Sequence, residues 1–261
     1  MAKRKRNLEI LVSNDDGIDA TGIHVLVKEL RKLGTVTVVA PTMQQSAVGH
    51  AITMNHPLRV REFHREGEFF GYAVEGTPAD CVKLAIRALL KRKPDLLVSG
   101  INHGSNTAIS IIYSGTVSAA TEGTIFGIPS MAVSLTTYGP ADFRYAAKIA
   151  RRLATKIIEN GLPTGTLLNV NVPAIPESEI RGILVTRQGK ATWDDRFDVR
   201  RDPANKEYYW LTGNLGETSE GLESDQSAVK SRYVSVTPIQ YDLTNNRMLE
   251  SMKQWGIEKI K

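Results

Sequence analysis

Residues 8–17 read Leu8-Glu9-Ile10-Leu11-Val12-Ser13-Asn14-Asp15-Asp16-Gly17, an apolar run that breaks into a polar, acidic turn. A short aliphatic run bounded by a turn signal forms a strand buried on both faces. Its setting follows from the next residues. Residues 22–33 place Ile23, Leu26, Val27 and Leu30 on one helical face, and residues 35–40 form a second apolar strand stopped by Pro41. A strand, an amphipathic helix and another strand in immediate succession predict two parallel strands joined by a crossover helix. The alternation continues. Strand 69–74 precedes Gly76-Thr77-Pro78, where Thr77 suits the N-cap and Pro78 the first position of a helix reaching about Lys91. Strand 95–99 leads through a glycine-rich loop to helix 116–126, and strand 130–134, helix 141–160 and strand 167–172 follow. Nearly all-apolar strands alternating with helices predict a doubly wound, mostly parallel α/β sheet, a Rossmann-like three-layer sandwich, over a core of residues 1–173.

Past Pro173 the character changes. Residues 180–187, 207–212 and 233–239 are strand-like, and a polar stretch with Asp194, Asp195, Arg196, Asp198, Arg200, Arg201 and Asp202 separates the first two. Residues 174–261 are therefore expected to add further core strands, a projecting β-hairpin arm and a last helix near 245–255. Such an arm docks most simply on a second copy of the chain.

Charge narrows the partners. The 261 residues carry 33 Lys+Arg against 28 Asp+Glu, a net charge of +5 that taken alone invites a nucleic-acid reading. Lys3, Arg4, Lys5 and Arg6 account for four of the 33, leaving a nearly neutral body and no expectation of specific nucleic-acid binding. No apolar stretch follows this tail as a secretory signal requires, and none approaches the ~18 residues of a membrane span. Cys81 stands alone, so no internal disulfide forms, and beside a helix start it reads as a small packed residue. A cytoplasmic protein with no membrane partner is expected.

In open parallel sheets ligands bind beyond the carboxyl ends of the strands. Three such positions stand out: Asn14-Asp15-Asp16-Gly17, Pro41-Thr42-Met43-Gln44-Gln45-Ser46 and Gly100-Ile101-Asn102-His103-Gly104. Together they bring two carboxylates, a hydroxyl and an amide to one edge, an oxygen-only set suited to Mg2+ or Mn2+. The first tetrapeptide equally suits a polar turn that caps the next helix. Tyr113-Ser114-Gly115-Thr116 before a helix offers N–H groups, two hydroxyls and close approach to a phosphate, or a plain N-cap. Neither a GxxxxGK[ST] loop nor a GxGxxG fingerprint is present. Adjacent aspartates rule out the DxD covalent route, and the five histidines form no ligand pair for a two-metal site. Attack by metal-activated water on a phosphate remains.

The segments ILVSNDDGIDATGI, QQSAVGHAIT, EGTPADCVKLAI, PDLLVSGINHGSN, YSGTVSAATEG and GIPSMAVS, followed by LLNVNVP, VTRQG, YYWLTGN and YVSVTPIQYDLT, resemble in order the signature blocks of the SurE family. These are stationary-phase survival proteins that act as nucleotidases. The resemblance implies a phosphomonoesterase acting on nucleoside 5′-monophosphates, with 3′-monophosphates as a further expectation, one divalent Mg2+ or Mn2+ per subunit, and a homodimer or homotetramer built through the C-terminal arm. It places metal ligands on Asp15, Asp16, Ser46 and Asn102; for the chemistry itself, Asp15 or Asp16 is expected to accept the proton of the attacking water. Phosphate contacts fall on Asn106, Ser114, Gly115 and Thr116. Where some members carry asparagine this chain has His50, whose contact with substrate is left open, and Arg232 stands where glycine is common. A nucleotide-binding sensor without turnover is the rival expectation.

Overall fold

The computed structural model describes residues 7–260; the basic tail of residues 1–6 lies outside them. Along the chain run β1 (Leu8–Ser13), α1 (Thr21–Leu30), β2 (Gly34–Pro41), β3 (Val60–Arg65), β4 (Glu68–Val74), α2 (Pro78–Leu84), β5 (Leu96–His103), α3 (Ser110–Tyr113) and α4 (Gly115–Ile125). There follow β6 (Ser130–Thr136), α5 (Arg144–Asn160), β7 (Thr166–Pro173), β8 (Gly182–Val185), β9 (Arg196–Arg201), β10 (Glu207–Thr212), α6 (Asp225–Lys230), β11 (Tyr233–Gln240) and α7 (Asn246–Lys253).

A nine-stranded sheet in the order β3-β4-β2-β1-β5-β6-β7-β11-β8 carries the fold. Strands β4 through β7 in that order are parallel, β3 pairs antiparallel with β4, and β11 pairs antiparallel with β7. Side chains of β1 alternate between two cores. Ile10 and Val12 pack with Ile23, Leu26, Leu30 and Ile149 on the α1/α5 face, while Leu11 packs with Cys81, Val82, Val117 and Ala120 on the α2/α4 face. Each Ile, Leu or Val among them, fully removed from water, contributes about 1.5–3 kcal/mol. That two-sided burial is why β1 reads as continuously apolar, and it bears out the doubly wound three-layer expectation.

Several boundaries differ from those expected. Helix α2 ends at Leu84 and continues as a π-helical turn, Ala85–Leu89, instead of running to Lys91. Its start is as read: the Thr77 hydroxyl accepts from Asp80 N–H at 3.1 Å and the Asp80 carboxylate accepts from Thr77 N–H at 2.9 Å. Helix α5 begins at Arg144, because Gly139 and Pro140 occupy the preceding loop. Strand β5 extends past Ser99 to His103, with its register against β6 shifting between Gly100 and Asn102. Such an irregularity re-aims the side chains at a strand end. Strand β3, with mostly exposed and polar residues, carried no apolar signal.

The hairpin β9–β10 forms its own two-stranded sheet, pairing Phe197 with Leu211 and Val199 with Tyr209. These apolar side chains are exposed in the single chain. Among the described residues no helix is long and apolar enough to cross a membrane. Strand order reverses between β1 and β5, since β2 and β4 lie to one side and β6 and β7 to the other. The crevice available to a ligand therefore opens where β1 delivers Asp15 and Asp16 and β5 delivers Asn102.

Candidate active site

Asn14, fully buried, closes the turn after β1 by donating from Nδ2 to Gly17 O at 2.8 Å, and Gly17 takes φ +95°. With Asn14 serving as turn former, the two carboxylates beyond it go to different partners. Asp15 accepts from the Thr116 hydroxyl at the start of α4, while Asp16 accepts from the backbone N–H of His103 at 2.9 Å. Asp15 is 6% exposed. Burial, opposed by the Thr116 bond and reinforced by the neighbouring Asp16 charge, raises its pKa from 3.8 to about 6. Burial also raises Asp16, against the pull of the His103 N–H. Two carboxylates lifted this way cost folding energy that an adjacent cation would offset.

Ser46 reaches this edge through the loop after β2. Gln45 N–H donates to Asp15 O at 2.7 Å, and Gln44 Nε2 donates to Ser46 Oγ at 2.8 Å while standing 3.5 Å from Asp16 Oδ1. Asn102 spends its Nδ2 on Gly104 O at 2.8 Å, leaving its carbonyl oxygen as the group to offer a ligand. The donors are two carboxylates, a hydroxyl and an amide oxygen, which fit a hard cation of the Mg2+ or Mn2+ type. Among the described residues no group of three or more His, Cys, Asp or Glu side chains is placed to hold a metal, so the nitrogen- and sulfur-rich set favoured by zinc is not assembled.

The N-terminus of α4 abuts this pair. Ser114 is its N-cap, accepting from Val117 N–H at 3.1 Å, so the capping role is filled at the same place as the expected phosphate contact. Gly115 permits the approach: a Cβ there would stand 2.8 Å from Asp15 Cβ and 3.0 Å from Pro78 Cγ. Asn106 is buried beyond β5. Its N–H donates to Asn171 Oδ1 at 2.8 Å, its carbonyl accepts from Asn169 Nδ2 at 2.8 Å, and its own Nδ2 donates to Ser134 Oγ at 2.8 Å. A cleft of about 330 Å3 opens beside Asp16 and is lined by Thr21, Gln44, His103 and Phe143. His103 Nε2 lies 2.7 Å from Gly139 O, a contact that requires the proton on that nitrogen. His50 lies on the Glu122 carboxylate, 2.9 Å from Oε2.

His24 packs its ring against Phe70, with centroids 5.8 Å apart. Cys81 is fully buried and its thiol is pushed well above its ordinary value by that burial, which suits a packing residue.

Sequence reasoning passed over Gln44, Asn169, Asn171 and Asp225. The Asn-Val-Asn alternation in an otherwise apolar β7 was the available signal, because a buried amide needs partners. Asp225 offered none. Its fully buried carboxylate accepts from Ala108 N–H at 3.0 Å, Gly189 N–H at 2.9 Å and Gln226 N–H at 2.7 Å. It thus pins the loop after Asn106 to the segment after β8. Asp225→Ala leaves three buried N–H groups unpaired and is expected to destabilise by about 3–5 kcal/mol, measured by urea unfolding. A loss below about 1 kcal/mol contradicts this account.

A parallel α/β sheet with two carboxylates and a helix N-terminus meeting at its switch point is the architecture of a phosphate-handling protein. The family model described as survival protein SurE matches residues 10–195, and the chain belongs to the SurE family. It is 51% identical to the 5′-nucleotidase SurE of Chlorobium luteolum over 259 residues, covering 99% of this chain and 100% of that protein. It is 49% identical to the protein of the same name from Chlorobaculum tepidum over 258 residues, covering 99% of this chain and 98% of the relative. The crystal structure of the SurE protein from Aquifex aeolicus superposes with a TM-score of 0.83 at 42% identity, covering 95% of this chain and 99% of that one.

Proposed function

We propose that this chain is a 5′-nucleotidase that hydrolyses nucleoside 5′-monophosphates, and 3′-monophosphates as well, in a reaction that depends on a divalent cation. The observation that supports the reading is that Asp15, beside the Asp16 charge, accepts from Thr116 at the N-terminus of α4, so that a cation held by the two carboxylates would lie next to an anion held at the helix end. Asp15, Asp16, Ser46 and Asn102 would hold one Mg2+ or Mn2+, supplying Lewis-acid stabilisation and an acidified water. The chain's own residues do the rest. The positive end of α4, with Ser114, Gly115 and Thr116, favours the phosphate dianion. The Thr116 hydroxyl orients the Asp15 carboxylate, which is ionised at neutral pH and stands ready to accept a proton. Asn106 is locked at its backbone by Asn169 and Asn171 and at its Nδ2 by Ser134, which leaves one hydrogen of that amide for the phosphate. The cleft beside Asp16 has the volume of a small-molecule site.

The deciding experiment follows phosphate release from 5′-AMP and 3′-AMP with Mn2+, Mg2+ or EDTA. Release with Mn2+ or Mg2+ that stops in EDTA is the expected result. Tight AMP binding without release would establish the sensor instead. We further propose that a second copy of the chain covers the exposed hairpin side chains Phe197, Val199, Tyr209, Trp210 and Leu211. The assembly is then a homodimer or homotetramer, and light scattering should give a mass that is a multiple of the chain's; the cytoplasm is the location we propose for it. Replacing Trp210 and Leu211 with Ser is expected to reduce that mass to one chain's.

A further inference from the structure

Along α4 from the phosphate-facing end lies a charged cluster that the proposed reaction does not use. Glu122 has a side chain only 2% exposed; its Oε1 accepts from Lys83 Nζ of α2 at 2.5 Å, and its Oε2 meets His50 Nε2 at 2.9 Å. Burial alone would raise this carboxyl, yet the bonds from His50 and Lys83 hold it below its ordinary value. An ionised carboxylate at that depth persists because both oxygens are paired.

Lys83 and Glu122 stand on helices, whereas His50 stands on the irregular segment 42–59 that also carries Ser46. Between Ser46 and His50 the chain turns through Ala47 at φ +56° and Gly49 at φ +57°. A left-handed alanine costs about 1–2 kcal/mol and is kept only where the surroundings over-determine it. The backbone ties of this turn are Gln45 N–H to Asp15 O at 2.7 Å and Gly49 N–H to Tyr113 O at 3.0 Å. Among the described residues its own side-chain tie to α4 is the His50 ring, while just beyond it Thr77 Oγ1 donates to Ala51 O at 2.7 Å and Thr53 N–H donates to Asp80 Oδ1 at 2.9 Å, so that residues 51–53 are held on α2 independently of His50.

We infer that His50, Glu122 and Lys83 form a positioning clamp that seats the turn 46–50 on α4 and so sets where the Ser46 hydroxyl stands beside Asp16. His50 is then a positioning residue acting through Glu122, not a phosphate contact. The alternative is distinguishable: a substrate contact matters only when substrate is bound, whereas a clamp orders the free protein.

The test uses the full chain as His50→Ala, His50→Gln and Glu122→Gln, and its first readout needs neither metal nor activity. Amide hydrogen exchange at residues 45–50 of the metal-free protein is expected to accelerate about tenfold or more in His50→Ala, with α5 and the central strands unchanged. His50→Gln, which keeps an N–H for Glu122, should restore most of the protection, and Glu122→Gln should fall between. In phosphate release, which rests on the nucleotidase reading, the half-saturating Mn2+ concentration of His50→Ala should rise about tenfold while KM for AMP at saturating Mn2+ stays near wild type. Unchanged exchange at residues 45–50 in His50→Ala overturns the clamp, and a rise in KM alone would place His50 on the substrate. Absence of phosphate release from wild type would instead refute the nucleotidase reading, leaving the exchange result to judge the clamp.

Discussion

Asp15→Asn is expected to lose phosphate release by about 10^3-fold or more and, without metal, to be more stable than wild type. The two effects share one cause. Burial holds the Asp15 carboxyl at a pKa of about 6 instead of 3.8, so ionising it in the folded chain costs about 3 kcal/mol. Between those two values the folded chain keeps a proton that the unfolded chain has released. Stability of the metal-free protein therefore falls as pH rises from about 4 to 6, and above 6 the full cost is carried. Asparagine never ionises, and it can still accept from the Thr116 hydroxyl. Its added N–H needs a partner, which takes back about 1 kcal/mol. The expected outcome by calorimetry in EDTA is a melting temperature a few degrees above wild type at pH 8, with the advantage gone at pH 4. Near-wild-type phosphate release in this variant would sink the proposed role of Asp15. A lower melting temperature at both pH values would sink the account of its burial.

Gly115→Ala is the second large effect, and it separates geometry from stability. The new Cβ would lie 2.8 Å from Asp15 Cβ and 3.1 Å from Asp15 Oδ2, so either α4 backs away or the carboxylate turns. A displacement near 1 Å at a reacting group costs about 10^2-fold in rate. Overpacking costs about 1–3 kcal/mol, while exchanging Gly for Ala in a helix returns about 1 kcal/mol. We therefore expect kcat/KM to fall about a hundredfold while the melting temperature drops by only a few degrees. A collapse of stability with kcat/KM preserved in the folded fraction would show that Gly115 serves packing alone.

The strands β1, β2, β4, β5, β6 and β7 were legible because two-sided burial makes each a nearly unbroken apolar run, α1 and α5 because each buries one face, and α2 and α4, buried on nearly every side, through the capping residues at their starts. The site loops were legible because a parallel sheet delivers ligand groups at its carboxyl ends, where Asn14-Asp15-Asp16 and Asn102 stand. Strand β3 escaped because its residues face water, and the α2 boundary moved because a π-helical turn has no composition signal. The partner of His50 and the role of Asp225 stayed out of reach for another reason. A side chain that bonds to a partner 72 or 117 residues away carries no mark of it in its neighbours.

By itself, the sequence determined the layer architecture, the parallel order of the core and the residue types at its carboxyl edge, since these follow from periodicity and short-range backbone preference. Only the tertiary structure decided that Asp15 turns to α4 and Asp16 to β5, that Gly115 is a point of contact, and that His50 is spent on Glu122. Pairing and desolvation depend on which distant groups are packed against each other, and that is a property of the assembled sheet and helices.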